Sequence, residues 1–349
     1  MFQKVSSFKE IKEKNKKKNF IEREANLPVI QSFPLVAKIE VTNRCNLSCI
    51  MCRQGKREEK VNELDFNVFK KLKEIFPTLL SAYLYGIGEV LTYPSFMELV
   101  DYLLSFEVNV GLLTNGILID NKLGEEWVKK GLYKLSISVD GARRETYERI
   151  RRGASYDRLF ANIDMINSLK KEYDADRPIV TFNFVVMKDN ICELPDLVDL
   201  AYHFGAQEVI VNDLIVFFDN MREQVLSYDD PLCKENFSEA ERRAKRNGIK
   251  LFLPVPYRFQ KSIRPCLDNK LKSFSINPCT EAWSGFWLTA DGIVTPCCYW
   301  MKPMGNLKHD NFLTIWNNNN YQHLRKTVNT EKRNNLCRRC AIAGMEKRE

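Results

Sequence analysis

The chain reads as an α/β protein: strand–helix units building a parallel sheet, followed by a small cysteine-rich C-terminal domain. Three observations predict this. Short apolar runs alternate with amphipathic windows from Pro34 to about Pro256. The composition shifts from about Ser262 onward, where six of the eleven cysteines lie. At 349 residues, 44% hydrophobic and 28% charged, the chain can bury a core in one large domain or two ordinary ones.

The elements follow in order. Residues 1–33 form a basic N-terminal extension, with Lys4, Lys9, Lys12, Lys14, Lys16, Lys17 and Lys18 against Glu10 and Glu13. It is expected to be a solvated, partly helical tail, ended by Pro28 and Pro34; contact with an acidic partner or a membrane surface is the sharper reading. Strand-like runs are Leu35–Val41, Ser81–Tyr85, Val108–Leu113, Lys134–Val139, Ile179–Val186 and Glu208–Ile215. Between them lie helical windows. Asp65–Ile75 carries Phe66, Phe69, Leu72 and Ile75 at spacings of three, one face of a helix. Phe96–Phe106, Lys122–Lys130, Tyr156–Lys170, Leu194–Phe204 and Phe237–Asn247 also read as helices. Asp219–Phe237 is polar and irregular, a lid or linker, and Asp291-Gly292 is a hairpin signal between Ser284–Thr289 and Ile293–Pro296.

The chemistry concentrates just after the first strand, in VTNRCNLSCIMC, residues 41–52. Cys45, Cys49 and Cys52 stand as C-x3-C-x2-C, and no other Cys or His is near, the next cysteine being Cys192. Three thiolates in one loop suit a [4Fe–4S] cube with one iron left without a protein ligand. A structural zinc would want four closed ligands. In the tail, Cys266, Cys279, Cys297, Cys298, Cys337 and Cys340 could hold a second cluster or a zinc, which spacing alone does not separate.

The first loop resembles the signature of the radical S-adenosylmethionine (radical SAM) enzymes, with Met51 where the family usually has an aromatic residue that touches adenine. The resemblance implies a partial (β/α)6 TIM-like barrel over residues 34–258. It also implies that the open iron binds S-adenosylmethionine, whose cleavage yields a 5′-deoxyadenosyl radical. Gly86-Ile87-Gly88-Glu89, after the second strand, resembles the family's G-G-E element, which gives Gly88 and Glu89 to the cofactor ammonium. Thr114-Asn115-Gly116 reads as turn chemistry. Ser138-Val139-Asp140-Gly141 with the arginines that follow resembles S-x-D-G and its downstream I-R-x-G; this gives Ser138 and Arg151 to the cofactor carboxylate, Arg149 being the rival. Asp140 could instead cap the following helix.

The region 259–349 resembles the SPASM/twitch domain through Cys279-Thr-Glu-Ala-Trp283, DGIVTPCC, Gly305-Asn306-Leu307, Ile315-Trp316-Asn317 and a closing C-x-x-C. The shorter twitch form implies one auxiliary [4Fe–4S] cluster on Cys279, Cys297, Cys337 and Cys340. Cys298 is the rival of Cys297, and Cys266 is a spare. Trp283 and Trp316 read as core anchors. The resemblance implies oxidation of a small polar substrate, sugar-like or aminocyclitol-like, with the auxiliary cluster as electron acceptor. The N-terminal region looks too short for the fused peptide-recognition domain of many peptide-modifying relatives. Peptide or protein modification and epimerisation are the alternatives, with an iron–sulfur or zinc scaffold as the non-enzyme reading. The expected partners are a substrate and an external electron donor such as flavodoxin or ferredoxin.

The net charge of +8 does not imply nucleic acid, because basic residues outside the extension are mixed with acidic ones. No stretch approaches the ~18 apolar residues of a membrane span, and no signal-type apolar core follows the lysines. The expected location is therefore cytoplasmic, where eleven cysteines point to metal or redox chemistry.

Overall fold

A computed structural model describes residues 7–53, 60–254, 278–298, 300, 302–338 and 340. Strands β1 (Val36–Ile39), β2 (Ser81–Leu84), β3 (Asn109–Thr114), β4 (Lys134–Ser138), β5 (Ile179–Val186) and β6 (Glu208–Asp213) pair in chain order, all parallel. These are the six strands expected, with ends moved by one or two residues. A seventh, β7 (Lys250–Phe252), extends the row beside β6. Its three residues give too little alternation to be read from sequence.

The crossovers carry α2 (Phe66–Lys70), α3 (Phe96–Leu104), α4 (Asn121–Lys129), α5 (Arg144–Ile150), α6 (Tyr156–Glu172), α7 (Leu194–His203) and α8 (Pro231–Asn247), with α1 (Phe8–Glu24) preceding the barrel. Two windows differ from expectation. The helix over Asp65–Ile75 stops at Lys70 and gives way to turns and a 3-10 segment, Phe76–Thr78, around Pro77, although Phe69, Leu72 and Ile75 stay fully buried. The lid over Asp219–Phe237 is instead a 3-10 segment, Asp219–Gln224, then the start of α8, with Asp230 accepting from the Leu232 amide at 2.9 Å.

Strand alternation sorts the sheet into two faces. Ala37, Ile39, Ala82, Leu84, Val110, Leu112, Leu135 and Ile137 are at most 1% exposed and meet the helices. Their neighbours Lys38, Glu40, Tyr83, Tyr85, Lys134, Ser136 and Ser138 line the other face, the barrel lumen. There Lys134 pairs with Glu208, whose carboxylate also accepts from the Thr181 hydroxyl at 3.1 Å.

The cysteine-rich region does not stand apart from this sheet. Strand β8 (Gly285–Leu288) pairs in parallel with β1, Val36 opposite Gly285 and Ile39 opposite Leu288. Antiparallel β9 (Ile293–Thr295) and β10 (Gly305–Asn306) follow, giving ten strands in the order β10-β9-β8-β1-β2-β3-β4-β5-β6-β7. Gly292, at φ +87°, makes the hairpin turn the sequence signals. The boundary placed at 258/259 and Cys266 lie outside the described residues.

The N-terminal region is not a solvated tail. Helix α1 buries Lys12, Asn15, Asn19 and Glu22, spaced three or four apart. Lys12 donates to the Glu107 carbonyl at 2.5 Å, and Asn15 exchanges two bonds with the Phe33 backbone. Asn19 donates to the Trp283 carbonyl at 2.6 Å, and Glu22 accepts from the Gln31 and Ser32 amides. A polar stripe that satisfies backbone groups looks, by hydropathy, the same as one facing water. Trp283 and Trp316 are buried anchors as expected; their indole N–H groups donate to Leu27 and Ser32 carbonyls, joining this segment to the C-terminal region.

Candidate functional site

The cysteine loop leaves the C-terminal end of β1, the end where active sites of such barrels gather. It is strapped from both sides. Asn43 bonds to the backbone of Asn62 and Lys60, while the Ser48 and Ile50 amides donate to the carbonyls of Arg152 and Ile150. Cys49 is buried and Cys45 and Cys52 half-buried, packed with Leu47, Met51, Ile150, Met187, Leu214 and Met221. Burial raises the Cys45 thiol and pushes Cys49 up to about 11. Cys45 and Cys49 each have Cys52 and Arg151 among their electrostatic neighbours, and Cys49 has Cys45 as well. Among the described residues no three Cys, His, Asp or Glu side chains meet at a single-ion site. The donor set, three thiols in an apolar shell, is the chemistry a cube with one open iron requires.

The Gly88–Glu89 element lies directly beside this loop. A Cβ on Gly88 would sit 2.4 Å from the Thr42 carbonyl oxygen and 2.5 Å from that of Arg44. The Glu89 amide donates to the Arg44 carbonyl at 2.8 Å. The buried Glu89 carboxylate accepts from the Thr114 hydroxyl (2.6 Å), the Asn115 amide (2.7 Å) and the Leu91 amide (3.2 Å). Burial raises its pKa above the ordinary carboxyl range, and these three donors offset only part of that rise. Asn115 also donates to Asn46 Oδ1 at 2.8 Å. Thr114 and Asn115, read as ordinary turn residues, therefore hold Glu89 and tie it to the cysteine loop.

Across the barrel mouth, Arg151 Nε donates to Asp140 Oδ2 at 2.6 Å, and its Nη1 stands 4.0 Å from Cys49 Sγ. Burial opposes the Arg151 charge, but Asp140, Cys49 and Tyr147 together outweigh it and raise the pKa. Asp140 is wholly buried and accepts from the Val185 amide at 2.7 Å; it does not cap α5. Glu193 fixes the turn that enters α5, accepting from the Ala142 and Arg143 amides just before it and from the Thr146 hydroxyl in its first turn. Arg149 pairs at the surface with Asp189. Ser138, at the end of β4, is the register partner of Asn183 on β5, so their side chains leave the sheet on the same face. Asn183 Nδ2 is buried with no hydrogen-bond partner among the described residues, an orphan donor that a polar ligand would satisfy.

The C-terminal cysteines approach the open side of the barrel beside β1. Asn329 brackets Cys279 with bonds to its amide (2.8 Å) and carbonyl (3.1 Å). Burial raises the Cys279 thiol and pushes Cys337 up to about 11, with Cys340 among the electrostatic neighbours of both. Cys298 has Lys38, Glu281 and Cys340 around it, and Tyr85 has Cys297, Cys298 and Glu281. Lys38 pairs with Glu281 at 2.5 Å, and the Tyr85 ring meets Trp287 edge-on at 4.9 Å.

Sequence reasoning missed Glu40, whose buried carboxylate accepts from the Ile87 amide at 3.0 Å and the Ala290 amide at 3.5 Å. It thus joins the Gly88–Glu89 element to the C-terminal hairpin. The signal was present: Lys38 and Glu40 interrupt an apolar strand two residues apart, on one face.

With this geometry in place, the comparisons are consistent. Residues 39–201 match the sequence model of the radical SAM superfamily, and residues 279–341 match that of an iron–sulfur cluster-binding domain, SPASM. Together these stretches span more than half of the chain, which belongs to the radical SAM superfamily and carries a C-terminal SPASM domain. It is an enzyme of the kind that binds a [4Fe–4S] cluster and S-adenosylmethionine, with further iron–sulfur chemistry in the SPASM region. It is 24% identical over 310 residues to the tungsten-containing aldehyde ferredoxin oxidoreductase cofactor-modifying protein of Pyrococcus furiosus, covering 82% of each chain. It is 25% identical over 292 residues to the subtilosin biosynthesis protein AlbA of Bacillus subtilis, covering 81% of this chain and 60% of that one. In fold it is similar to Streptococcus suis SuiB bound to S-adenosylmethionine (TM-score 0.70, 16% identity, 90% of this chain and 72% of that one). No described helix is long and apolar enough to cross a membrane.

Proposed function

We propose that this chain oxidises a peptide side chain by two electrons: a hydrogen atom is abstracted, and the carbon radical then releases a proton to solvent and one electron, for which an auxiliary cluster in the SPASM domain would be the acceptor. The observation that carries this reading is the parallel pairing of β1 with β8. One strand leads into Cys45; its neighbour lies between Cys279 and Cys297. A substrate in the lumen therefore has one cysteine group above it and the other beside it.

Cys45, Cys49 and Cys52 would hold the first cluster, and Cys279, Cys297, Cys337 and Cys340 the second. When bound, the first cluster and S-adenosylmethionine supply a 5′-deoxyadenosyl radical, the abstracting agent. The chain's own residues bind and orient. Arg151, kept charged by Asp140, offers its remaining N–H groups to the cofactor carboxylate. Gly88 lets the cysteine-loop backbone close against this element, Glu89 presents its carboxylate to the cofactor ammonium, and Ser138 offers its hydroxyl to the cofactor carboxylate. Met51, a flexible thioether in the apolar shell, packs on adenine. Leu214 and Met221 screen the cluster loop from water.

The peptide substrate is supported by the relative named for subtilosin biosynthesis and by SuiB, also solved with its precursor peptide SuiA. A small polar substrate is the second reading, favoured by the lumen residues Lys38, Tyr85, Ser136 and Asn183. A soluble cytoplasmic reductant such as flavodoxin or ferredoxin completes the proposal.

Anaerobic reconstitution tests the cluster count: about eight irons per chain for two cubes, about four if the tail binds zinc. Dithionite with S-adenosylmethionine should then give 5′-deoxyadenosine, and Cys45→Ala should not. A substrate peptide should stimulate that cleavage and emerge lighter by two hydrogens. Stimulation by peptides with no mass change would rule out the oxidation.

A further inference from the structure

Helix α1 is inverted relative to an ordinary surface helix. Its buried face is polar, and its exposed face carries Phe20, 55% exposed, and Ile21, 65% exposed. Between Lys14 and Ile21 the helix has four lysines and no acidic residue. Lys17 lies three and four residues before Phe20 and Ile21, on the same face. Lys14 and Lys17 have no acidic partner among the described residues, and Arg23 lies over the Phe20 ring at 5.2 Å. Leu27 and Val29, just past the helix end, are also 40% and 57% exposed.

This face is wired to the auxiliary cysteines. Asn19, adjacent to Phe20, donates to the Trp283 carbonyl at 2.6 Å and accepts from the Ser284 hydroxyl at 2.9 Å. The Trp283 indole donates to the Leu27 carbonyl at 2.9 Å. Trp283 is four residues from Cys279, at most roughly 14 Å of extended chain. The path from a cluster ligand to the surface thus runs through one buried indole and one hydrogen bond.

We propose that the Lys14–Ile21 face of α1 is the docking surface for a small acidic protein carrying a one-electron centre, which empties the auxiliary cluster after each turnover. The inference rests on the proposed oxidation, since that reaction leaves an electron on the auxiliary cluster. The transfer is a single electron from the reduced cluster to the oxidised carrier, with no bond broken and no proton moved. Two apolar side chains bordered on one side by lysines, with Arg23 and its partner Glu24 on the other, make a small patch, as transient electron-transfer encounters use; such contacts form fast through charge and part readily. An interfacial membrane helix, in contrast, needs a long apolar face, and the opposite face of α1 is occupied by the protein itself.

The test uses the reconstituted holoenzyme, Lys14→Glu/Lys17→Glu, and separately Phe20→Ser. Binding of a purified acidic ferredoxin is measured at low and high salt, together with the rate at which it reoxidises the dithionite-reduced auxiliary cluster. The wild type should bind with strong salt dependence, and the charge variant should lower the second-order rate about tenfold or more. Phe20→Ser should weaken binding with the salt dependence retained. Dithionite-driven 5′-deoxyadenosine formation should be unchanged in both variants. Equal rates in wild type and variants overturn the proposal, as does binding of α1 to anionic lipid vesicles with none to the ferredoxin. If the auxiliary cluster is absent, iron counting shows it, while salt-dependent ferredoxin binding still reports on the surface.

Discussion

Arg151 and Asp140 form a buried ion pair at 2.6 Å, with Arg151 also reaching to 4.0 Å from the sulfur of Cys49. One contact thus joins the end of β4, the end of α5 and the cysteine loop. Arg151→Ala would leave a carboxylate with no solvent exposure uncompensated, at a cost of about 3–5 kcal/mol. Asp140→Asn with Arg151→Met should recover much of that stability. S-adenosylmethionine binding should stay lost in the double variant, as measured by calorimetry beside thermal unfolding. Restored binding would show that Arg151 serves only the fold.

Glu89→Gln tests a different layer. Its carboxylate accepts from three chain donors, and a glutamine turns one acceptor oxygen into a donor facing another donor. The expected loss is about 1–3 kcal/mol. Because Asn115 also holds Asn46, iron retention during gel filtration should fall together with stability.

Glu40 sets a pH dependence. Burial raises its pKa above the ordinary carboxyl range, Asp291 adds to the rise, and the Ile87 and Ala290 amides act against it. A raised carboxyl pKa means the folded state binds the proton more tightly than the unfolded chain. Its stabilising contribution is then full below the unfolded value near 4.5 and is lost as pH climbs through the folded value. Glu40→Gln places an amide nitrogen against one of these two backbone donors, a cost that does not change with pH. Its melting temperature should therefore improve relative to wild type as pH rises from 4 to 8, and a difference constant across that range would contradict the assignment.

Asn19→Ala removes the bonds to Trp283 and Ser284 from a buried position. The orphaned carbonyl should cost about 1–3 kcal/mol, and the auxiliary iron should be shed before that of the first loop. Electron paramagnetic resonance of the reduced protein separates the two signals. Equal loss of both would mean that α1 supports the whole barrel and not the C-terminal segment in particular.

The barrel was legible because its signals are local: alternation on β1 through β6, turn residues at the strand ends, three cysteines in one loop. The Gly88, Glu89, Ser138 and Arg151 positions were legible as motifs, but their partners were not. Asp140 pairs with a residue eleven positions on, Glu89 with one twenty-five on, and Glu40 with Ala290 across 250 residues. Such pairings are set by topology, which short-range patterns do not carry. Helix α1 was misjudged for a related reason. Lys12, Asn15, Asn19 and Glu22 satisfy carbonyls and amides from distant segments, and polarity alone cannot tell a peptide group from a water molecule.

The β1–β8 ladder has a last implication. Tunnelling rates fall off exponentially with separation, so two redox sites on separately hinged bodies would exchange electrons at a rate that drifts with every hinge movement. Here a continuous backbone ladder is the ruler between them. Substitutions along that seam that keep the two strands paired leave the register between the two cysteine groups unchanged.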